Sequence, residues 1–358
     1  MINMINLKDK ARAYARLMRI HTLIATAITP VLGACATFAV LKGELIPYDK
    51  IPVLANLFLI GILVHIIGEI LNDYIDYDID KKNTELSKKP LVSGDISKKG
   101  ALMGIFICFI ALIIILSFSR YSLLSILVLL AAALSGIIYQ LISKKWLHSA
   151  IFLAAWDFLI ILFGGIYAGR YSNLIEVPVL VYIISILGFF QVWINTAILG
   201  HLKDIKNDSE CGVKTFPMSF GVRVKGEGKI PKLIIPINFR VFVLMVQIVN
   251  LVVVFIPIVF YKMFYNDNVN IFLLFFGLIV VSVVVMRSMI KIMWHRYFER
   301  NILMRMMAVR EIGSFFLSVI ILSPLIGWLL ALFFVLLPLV WFLFANLIFS
   351  GNPLQPAI

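Results

Sequence analysis

The stretch IPVLANLFLIGILVHIIGEILNDYIDYDID, residues 51–80, decides the fold, because two opposite patterns meet in it. Residues 51–71 are almost all apolar and contain one charged side chain, Glu69. A helix of roughly 20 apolar residues spans the hydrocarbon core of a bilayer. Residues 72–80 then bring four aspartates. The stretch therefore predicts a membrane-spanning helix that ends in concentrated negative charge.

The rest of the chain repeats the apolar pattern. Of its 358 residues 62% are hydrophobic and 14% are charged, a balance that excludes a soluble domain of this size. We predict an all-α membrane protein of about nine transmembrane helices, with residues 1–358 forming one domain. The expected spans are 21–41, 51–71, 101–119, 121–141, 150–169, 177–200, 239–261, 270–286 and 312–335. The apolar tail at 336–350 leaves a tenth span open.

The basic residues predict the orientation of these spans. All but six of the 32 Lys and Arg residues lie in the N-terminal tail or in the loops after the second, fourth, sixth and eighth spans, and one of the six, Arg240, stands at the start of the seventh span, next to the loop after the sixth. Because Lys and Arg accumulate in cytoplasmic loops, these segments are predicted to face the cytoplasm of a multi-pass cell-membrane protein. The net charge of +13 is explained by this topology and by anionic lipid, so we expect no nucleic-acid partner. Residues 1–20 have the spacing of an interfacial amphipathic helix.

Two acidic clusters stand at the cytoplasmic ends of spans, where the longer polar stretches 72–100 and 201–238 begin. On a continuing helix the acids of each cluster share a face. Oxygen ligands without His or Cys favour Mg²⁺, which is commonly held by carboxylates together with substrate phosphates. A solvated acidic loop is the alternative for either cluster alone, but two clusters on one side predict a metal-bound diphosphate. The predicted metal ligands are Asn72, Asp73, Asp76, Asp80, Asp204 and Asp208.

Basic and hydroxyl side chains follow both clusters. Lys89 precedes a Pro-Leu-Val-Ser-Gly turn, and Lys214 follows Gly212. A cation held by such a turn can bind phosphate oxygens. Tyr139 and Lys144 lie at the same level after the fourth span, where topology alone also explains a lysine. We predict that the diphosphate is bound by Asn72, Lys89, Lys144 and Lys214.

Three ionisable residues lie deeper in the predicted spans. Glu69 and His65 extend the stripe of the first cluster inward, and Asp157 lies in the fifth span. Ionisable groups in the bilayer interior are costly and usually mark a binding site or pathway. They are therefore candidates for contact with an acceptor, although pairing between helices is an equally open interpretation.

These motifs resemble the UbiA-type intramembrane prenyltransferases. The first signature of that family, N-D-x-x-D-x-x-x-D, is similar to Asn72, Asp73, Asp76 and Asp80, and its basic-Pro-Leu-x-Ser-Gly element is similar to the segment from Lys89 to Gly94. The second signature resembles Asp204, Asp208, Gly212, Lys214 and Thr215. The element that closes the family's fourth helix resembles Tyr139 and Lys144.

The resemblance implies a bundle around a central lipid-accessible cavity, with stretches 72–100 and 201–238 as its cytoplasmic active-site loops. It implies Mg²⁺-dependent transfer of a polyprenyl group from an allylic diphosphate, with Asp76, Asp208, Lys144 and Tyr139 as catalytic residues. The expected acceptor is a small aromatic acid or a glycerol-phosphate lipid precursor, and membrane lipids surround the site. Lys89 replaces the arginine common in the family, and residues 225–240 and the tail after Pro338 lack a counterpart.

Two other functions compete with this interpretation. A polytopic transporter would also carry polar residues within its spans, but its binding site is expected near the bilayer midplane rather than at one face. A transferase of the CDP-alcohol type uses clustered acids and a metal as well. The D-G-x-x-A-R element typical of that class is absent from the sequence.

Overall fold

The computed structural model describes residues 7–40, 48–82, 86–119, 121–143, 145–210, 212–226, 231–265 and 270–350. Helices dominate the described chain. In order they are α1 (Leu7–Leu17), α2 (Leu23–Ala27), α3 (Thr29–Val40), α4 (Ile51–Asp80), α5 (Pro90–Ser93), α6 (Lys98–Ser117), α7 (Leu123–Ile142), α8 (Ala150–Tyr171), α9 (Val179–Trp193), α10 (His201–Glu210), α11 (Phe216–Ser219), α12 (Ile237–Val259), α13 (Tyr261–Phe264), α14 (Ile271–Met293), α15 (Arg300–Ile326) and α16 (Trp328–Ser350).

Three shorter elements complete the described chain. A 3₁₀ turn at Tyr48–Lys50 leads into α4, and a π-helical turn at Ile194–Gly200 joins α9 to α10. Strands β1 (Arg223–Lys225) and β2 (Lys232–Ile234) pair antiparallel, with Val224 opposite Leu233.

The length and composition of the helices agree with a multi-pass membrane protein. Within the described residues, nine helices are long and apolar enough to cross a bilayer, and the apolar segment Leu23–Ala39 is shorter. Large apolar side chains such as Phe106, Leu127 and Phe276 are exposed on α6, α7 and α14. Such faces are stable against lipid but not in water.

The predicted span at 312–335 is wrong in its bounds. α15 already begins at Arg300 and ends before Gly327, whose φ of +84° lies in the left-handed region that favours glycine. α16 then starts at Trp328 as a separate helix of spanning length. The apolar pattern hid this break because it continues without interruption on both sides of Gly327.

The first of two compact units comprises Met1–Leu32, Pro47–Leu123 and Leu332–Ile358. In it α4 packs against α2 and α6, and α1 contacts α5. Gly61 of α4 allows a close approach to α2, since a Cβ there would lie 2.6 Å from the carbonyl oxygen of Ala27. Ser97 caps α6 by accepting a hydrogen bond from the backbone N–H of Gly100, 3.1 Å away.

The second unit comprises Gly33–Ile46 and Leu124–Ala331. α8 packs on α9, α14 packs on α15, and both α12 and α15 contact α9. Small residues bring helices together here, as is common in membranes. A Cβ on Gly33 of α3 would lie 1.9 Å from the carbonyl oxygen of Ile161, so α3 and α8 touch backbone to backbone.

Candidate active site

The first acidic cluster lies on the last turns of α4. The helix continues to Asp80, which confirms the expectation that the acids of this cluster share a face. The side chains of Asp73, Asp76 and Asp80 are buried, and Asn72 beside them is half-buried. Three buried carboxylates on one face require compensating positive charge.

Lys89 supplies much of that charge. Its ammonium lies 2.9 Å from Asp73 Oδ1 and 2.7 Å from Asp80 Oδ2, so the two carboxylates converge on one cation. Pro90 begins α5 directly after Lys89, and Gly94, with φ of +84°, ends it, which fixes the lysine at the helix start. Burial alone would lower the pKa of Lys89, but the two carboxylates outweigh burial and raise this pKa above its ordinary value.

Arg19 is a second cation on the same stripe, and the sequence analysis missed it. Its guanidinium lies 2.9 Å from Glu69 and 3.2 Å from Asp73. Burial opposes its charge, but the carboxylates together raise the pKa of Arg19. Arg19 has a φ of +43° in the turn after α1, which is uncommon for a residue with a side chain. Its position in a basic amphipathic segment gave no sign of this role.

The structure gives protein partners to two of the three acceptor candidates. The ring nitrogens of His65 lie 3.1 Å from Thr26 Oγ1 and 3.2 Å from the carbonyl oxygen of Met18. Glu69 pairs with Arg19. Both contacts hold the turn that follows α1 against α4. Asp157 is buried in α8, and its carboxylate lies directly against Gly188 of α9. A Cβ on Gly188 would be only 2.4 Å from this carboxylate, so a glycine is needed there.

The second acidic cluster lies on α10, in the second unit. The guanidinium of Arg300, at the start of α15, lies 3.0 Å from Asp204 Oδ1. Lys203 lies 3.8 Å from the other oxygen of the same carboxylate. Asp204 and Asp208 share a face of α10, as the i, i+4 spacing predicts. Asp204 and Arg300 are partly exposed, so their pairing is weak and open to competition by another ligand.

The remaining predicted residues follow α10 or end α7. Gly212 has a φ of +71°, Lys214 is exposed, and Thr215 is buried with a hydroxyl that lacks a hydrogen-bond partner among the described residues. Tyr139 is half-buried in the last turn of α7. Lys144 lies outside the described residues, so its predicted roles stay predictions.

The donor atoms on α4 fit Mg²⁺. No cluster of three His, Cys, Asp or Glu side chains in the described part of the chain is arranged to hold a metal by itself. Mg²⁺ commonly takes only one or two carboxylates and completes its shell with water and substrate phosphates. Asp73 and Asp80 already converge on a single positive charge, the ammonium of Lys89. The same oxygens can therefore serve a divalent cation that arrives with a diphosphate.

With this geometry established, comparison with known proteins identifies the class. The chain belongs to the UbiA prenyltransferase family, whose model matches residues 27–227 and so includes both acidic clusters. The sequence resemblance is confirmed.

Two relatives illustrate the likeness in sequence. A 4-hydroxybenzoate octaprenyltransferase from Shewanella frigidimarina is 39% identical over 98 residues, 27% of this chain and 32% of that enzyme. A digeranylgeranylglyceryl phosphate synthase from Hyperthermus butylicus is 28% identical over 213 residues, 59% of this chain and 68% of the synthase. The match to the first relative thus spans about a third of its length.

Solved structures share the fold. A structure from work on digeranylgeranylglyceryl phosphate synthase is 17% identical with a TM-score of 0.62, covering 88% of this chain and 99% of its own. A UbiA homologue from Archaeoglobus fulgidus, solved with GPP and Mg²⁺, is 16% identical with a TM-score of 0.57, covering 86% of this chain and 99% of its own. At these identities the likeness shows the fold alone.

Proposed function

We propose that the chain transfers a polyprenyl group from an allylic polyprenyl diphosphate to a membrane-associated acceptor and releases diphosphate. One observation carries the proposal: two buried carboxylates, Asp73 and Asp80, converge on a single cation at the end of a membrane-spanning helix. Membership of the UbiA prenyltransferase family supports the same reaction. The likeness to a homologue solved with GPP and Mg²⁺ supports the donor and the metal.

The chain's own residues have distinct proposed roles. Carboxylates of each acidic cluster bind Mg²⁺, with Asp76 and Asp208 as essential members. Mg²⁺ neutralises the charge that develops on the leaving diphosphate. With the metal held by these carboxylates, the ammonium of Lys89 would be available to bind diphosphate oxygens, and Lys214 would provide a further positive charge. Lys144 and Tyr139, which the sequence places at the end of α7, complete the proposed set.

The proposed reaction requires positive charge near the leaving group and a site from which water is excluded. Cleavage of the C1–O bond of an allylic diphosphate yields a delocalised allyl cation and a diphosphate anion. Fixed positive charge near the leaving oxygen lowers that barrier. The acceptor then attacks C1 and loses a proton, and the apolar surroundings of the spans keep water from capturing the cation.

The acceptor belongs to one of two chemical classes. The octaprenyltransferase similarity favours an aromatic acid, and the synthase similarity favours a glycerol-phosphate lipid precursor. Both are anionic at neutral pH. We place the reaction at the cytoplasmic face of the cell membrane, because the Lys and Arg residues concentrate in the loops on the side of the acidic clusters.

An acceptor panel tests the proposal. The purified chain in lipid nanodiscs is incubated with labelled geranylgeranyl diphosphate and Mg²⁺, and with either 4-hydroxybenzoate or geranylgeranylglyceryl phosphate. We expect a prenylated product from one acceptor, and none with EDTA. Absence of product from both acceptors, together with uptake of a solute by proteoliposomes lacking the donor, would instead support a transporter.

A further inference from the structure

The helix that carries the second acidic cluster contains a register shift just before the cluster. The segment from Val179 to Glu210 is one long helix, but Ile194–Gly200 is wound as a π-helix. A π turn contains one residue more than an α turn, and one residue corresponds to about 100° of rotation. The direction of Asp204 and Asp208 therefore depends on whether this turn keeps its extra residue.

The π turn leaves little space for a side chain at its last residue, Gly200. A Cβ on Gly200 would lie 3.0 Å from the carbonyl oxygen of Asn195, which is closer than ordinary van der Waals contact. Glycine thus fits this site better than a residue with a side chain. π-helical turns are rare in proteins, and a large share of those that do occur lie at functional sites.

A buried arginine of another helix holds the same turn. Arg310 of α15 is fully buried, and its Nη1 donates a hydrogen bond to Asn195 Oδ1. Its Nε donates to Gln247 Oε1 of α12, 3.2 Å away. An arginine in the interior of a spanning helix is costly and calls for a specific role.

α15 therefore contacts the long helix at two points. Arg300 pairs with Asp204 at the end of the helix, and Arg310 pairs with Asn195 deeper in it. Ten residues of α-helix separate the two arginines by about 15 Å. The outer contact is partly exposed and weak, so the deeper, buried contact is the one that constrains the rotation of the long helix, and it acts on the π turn itself.

We propose that Arg310 is a positioning residue that keeps the π turn wound and so directs Asp204 and Asp208 toward the Mg²⁺–diphosphate group. This inference rests on the proposed function of the second acidic cluster. Arg310 acts through Asn195 and does not touch the metal or the diphosphate. A purely structural role, in which Arg310 only ties helices together, is the alternative that an experiment must separate.

Metal binding and stability, measured on the same samples, separate the two roles. The full chain in nanodiscs is titrated with Mn²⁺ in the presence of inorganic diphosphate, and free Mn²⁺ is measured by electron paramagnetic resonance. The variants are Arg310→Met and the double variant Arg310→Met/Asn195→Leu, which replaces the polar pair by apolar side chains. Ser288→Ala is the control, because Ser288 of α14 donates a buried 2.6 Å hydrogen bond to the carbonyl oxygen of Met306 of α15 but does not contact the π turn.

We expect Arg310→Met to weaken Mn²⁺–diphosphate binding by about tenfold or more, the range typical of residues that orient metal ligands. The double variant should regain thermal stability but not metal binding, and Ser288→Ala should lose stability but bind Mn²⁺ normally. If Arg310→Met does not fold, Arg310→Lys takes its place, with weakened binding expected again. Normal binding by the single variant, or recovery of both properties by the double variant, overturns the inference. Failure of the unmodified chain to bind Mn²⁺–diphosphate overturns the proposed function itself.

Discussion

Trp341 of α16 donates its indole N–H to the backbone carbonyl oxygen of Ile20, 2.6 Å away. This bond joins the last helix to the turn after α1, and the neighbouring Phe342 contacts the ring of His21 in the same turn. Arg19 in that turn pairs with the acidic stripe of α4. α16 lies beyond the part of the chain that the family model matches. The end of the chain thus supports a residue of the candidate site.

Loss of the indole donor should loosen this turn. In Trp341→Phe the carbonyl group of Ile20 loses its side-chain donor but keeps the backbone N–H of Leu23, 3.3 Å away, so we expect the loss of one hydrogen bond, about 1 kcal/mol. We expect a lower unfolding temperature and a higher KM for the prenyl diphosphate, measured in nanodiscs. Phe333→Leu, on the same helix, is the control because Phe333 is exposed and lies about two helical turns away from Trp341. Equal effects of the two substitutions would argue against a specific role for the indole.

Removing an acid from either cluster should abolish turnover. Asp76→Ala and Asp208→Ala each remove a proposed metal ligand, and the loss should exceed the roughly 100-fold typical of groups that only orient ligands. Asp78→Ala is the matched control, because Asp78 lies on α4 with its side chain 84% exposed. Initial rates of product formation check this prediction. Near-normal Mg²⁺-dependent rates for Asp76→Ala would disprove the metal assignment.

Neutralising Lys89 should harm both stability and activity. Lys89→Met leaves Asp73 and Asp80 buried without their shared cation, and breaking a buried ion pair costs about 3 to 5 kcal/mol. Mg²⁺ should restore much of this loss, because it can take the place of the ammonium. Thermal unfolding of the variant with and without Mg²⁺ measures the effect. If the unfolding temperature of the variant is the same with and without Mg²⁺, the metal does not bind at this cluster.

Helix packing predicts a contrast between two glycines. Gly33→Ala would place a methyl group against the backbone of α8 and should cost about 1 to 3 kcal/mol or more, as overpacking does. Gly68→Ala has no atom within 4 Å of its new methyl group and should be neutral or stabilising. Unfolding temperatures of the two variants test the contrast. Equal stability would mean that α3 and α8 do not meet at Gly33.

The sequence predicted the parts of the fold that depend on local patterns. Apolar length predicted the spanning helices, and the spacing of Asp73, Asp76 and Asp80 predicted their common face, because both follow from helix geometry alone. The break at Gly327 was missed, since hydropathy does not report a left-handed residue inside an apolar run. The start of the same span, predicted at residue 312, also left Arg310 in a loop, whereas Arg310 lies buried in α15, which begins at Arg300.

The partners of the site could not be predicted in the same way. Arg19 is separated from Asp73 by 54 residues and Arg300 from Asp204 by 96, and such pairings depend on how the helices pack. The π turn at Ile194–Gly200 lies inside a predominantly apolar run, and the hydropathy of that run does not distinguish a π turn from an α turn. One signal was present, because Arg310 and Glu311 directly adjoin the apolar run that begins at residue 312, where charged side chains are costly.

The most direct test of the central claim is the stoichiometry of one reaction. The purified chain in nanodiscs receives geranylgeranyl diphosphate, an acceptor and Mg²⁺, and released diphosphate and prenylated product are counted together. We predict one diphosphate for each product molecule, with both absent in EDTA and in Asp76→Ala. Diphosphate release that is independent of the acceptor, or equal product formation without Mg²⁺, would contradict the assignment of this chain as a Mg²⁺-dependent prenyltransferase.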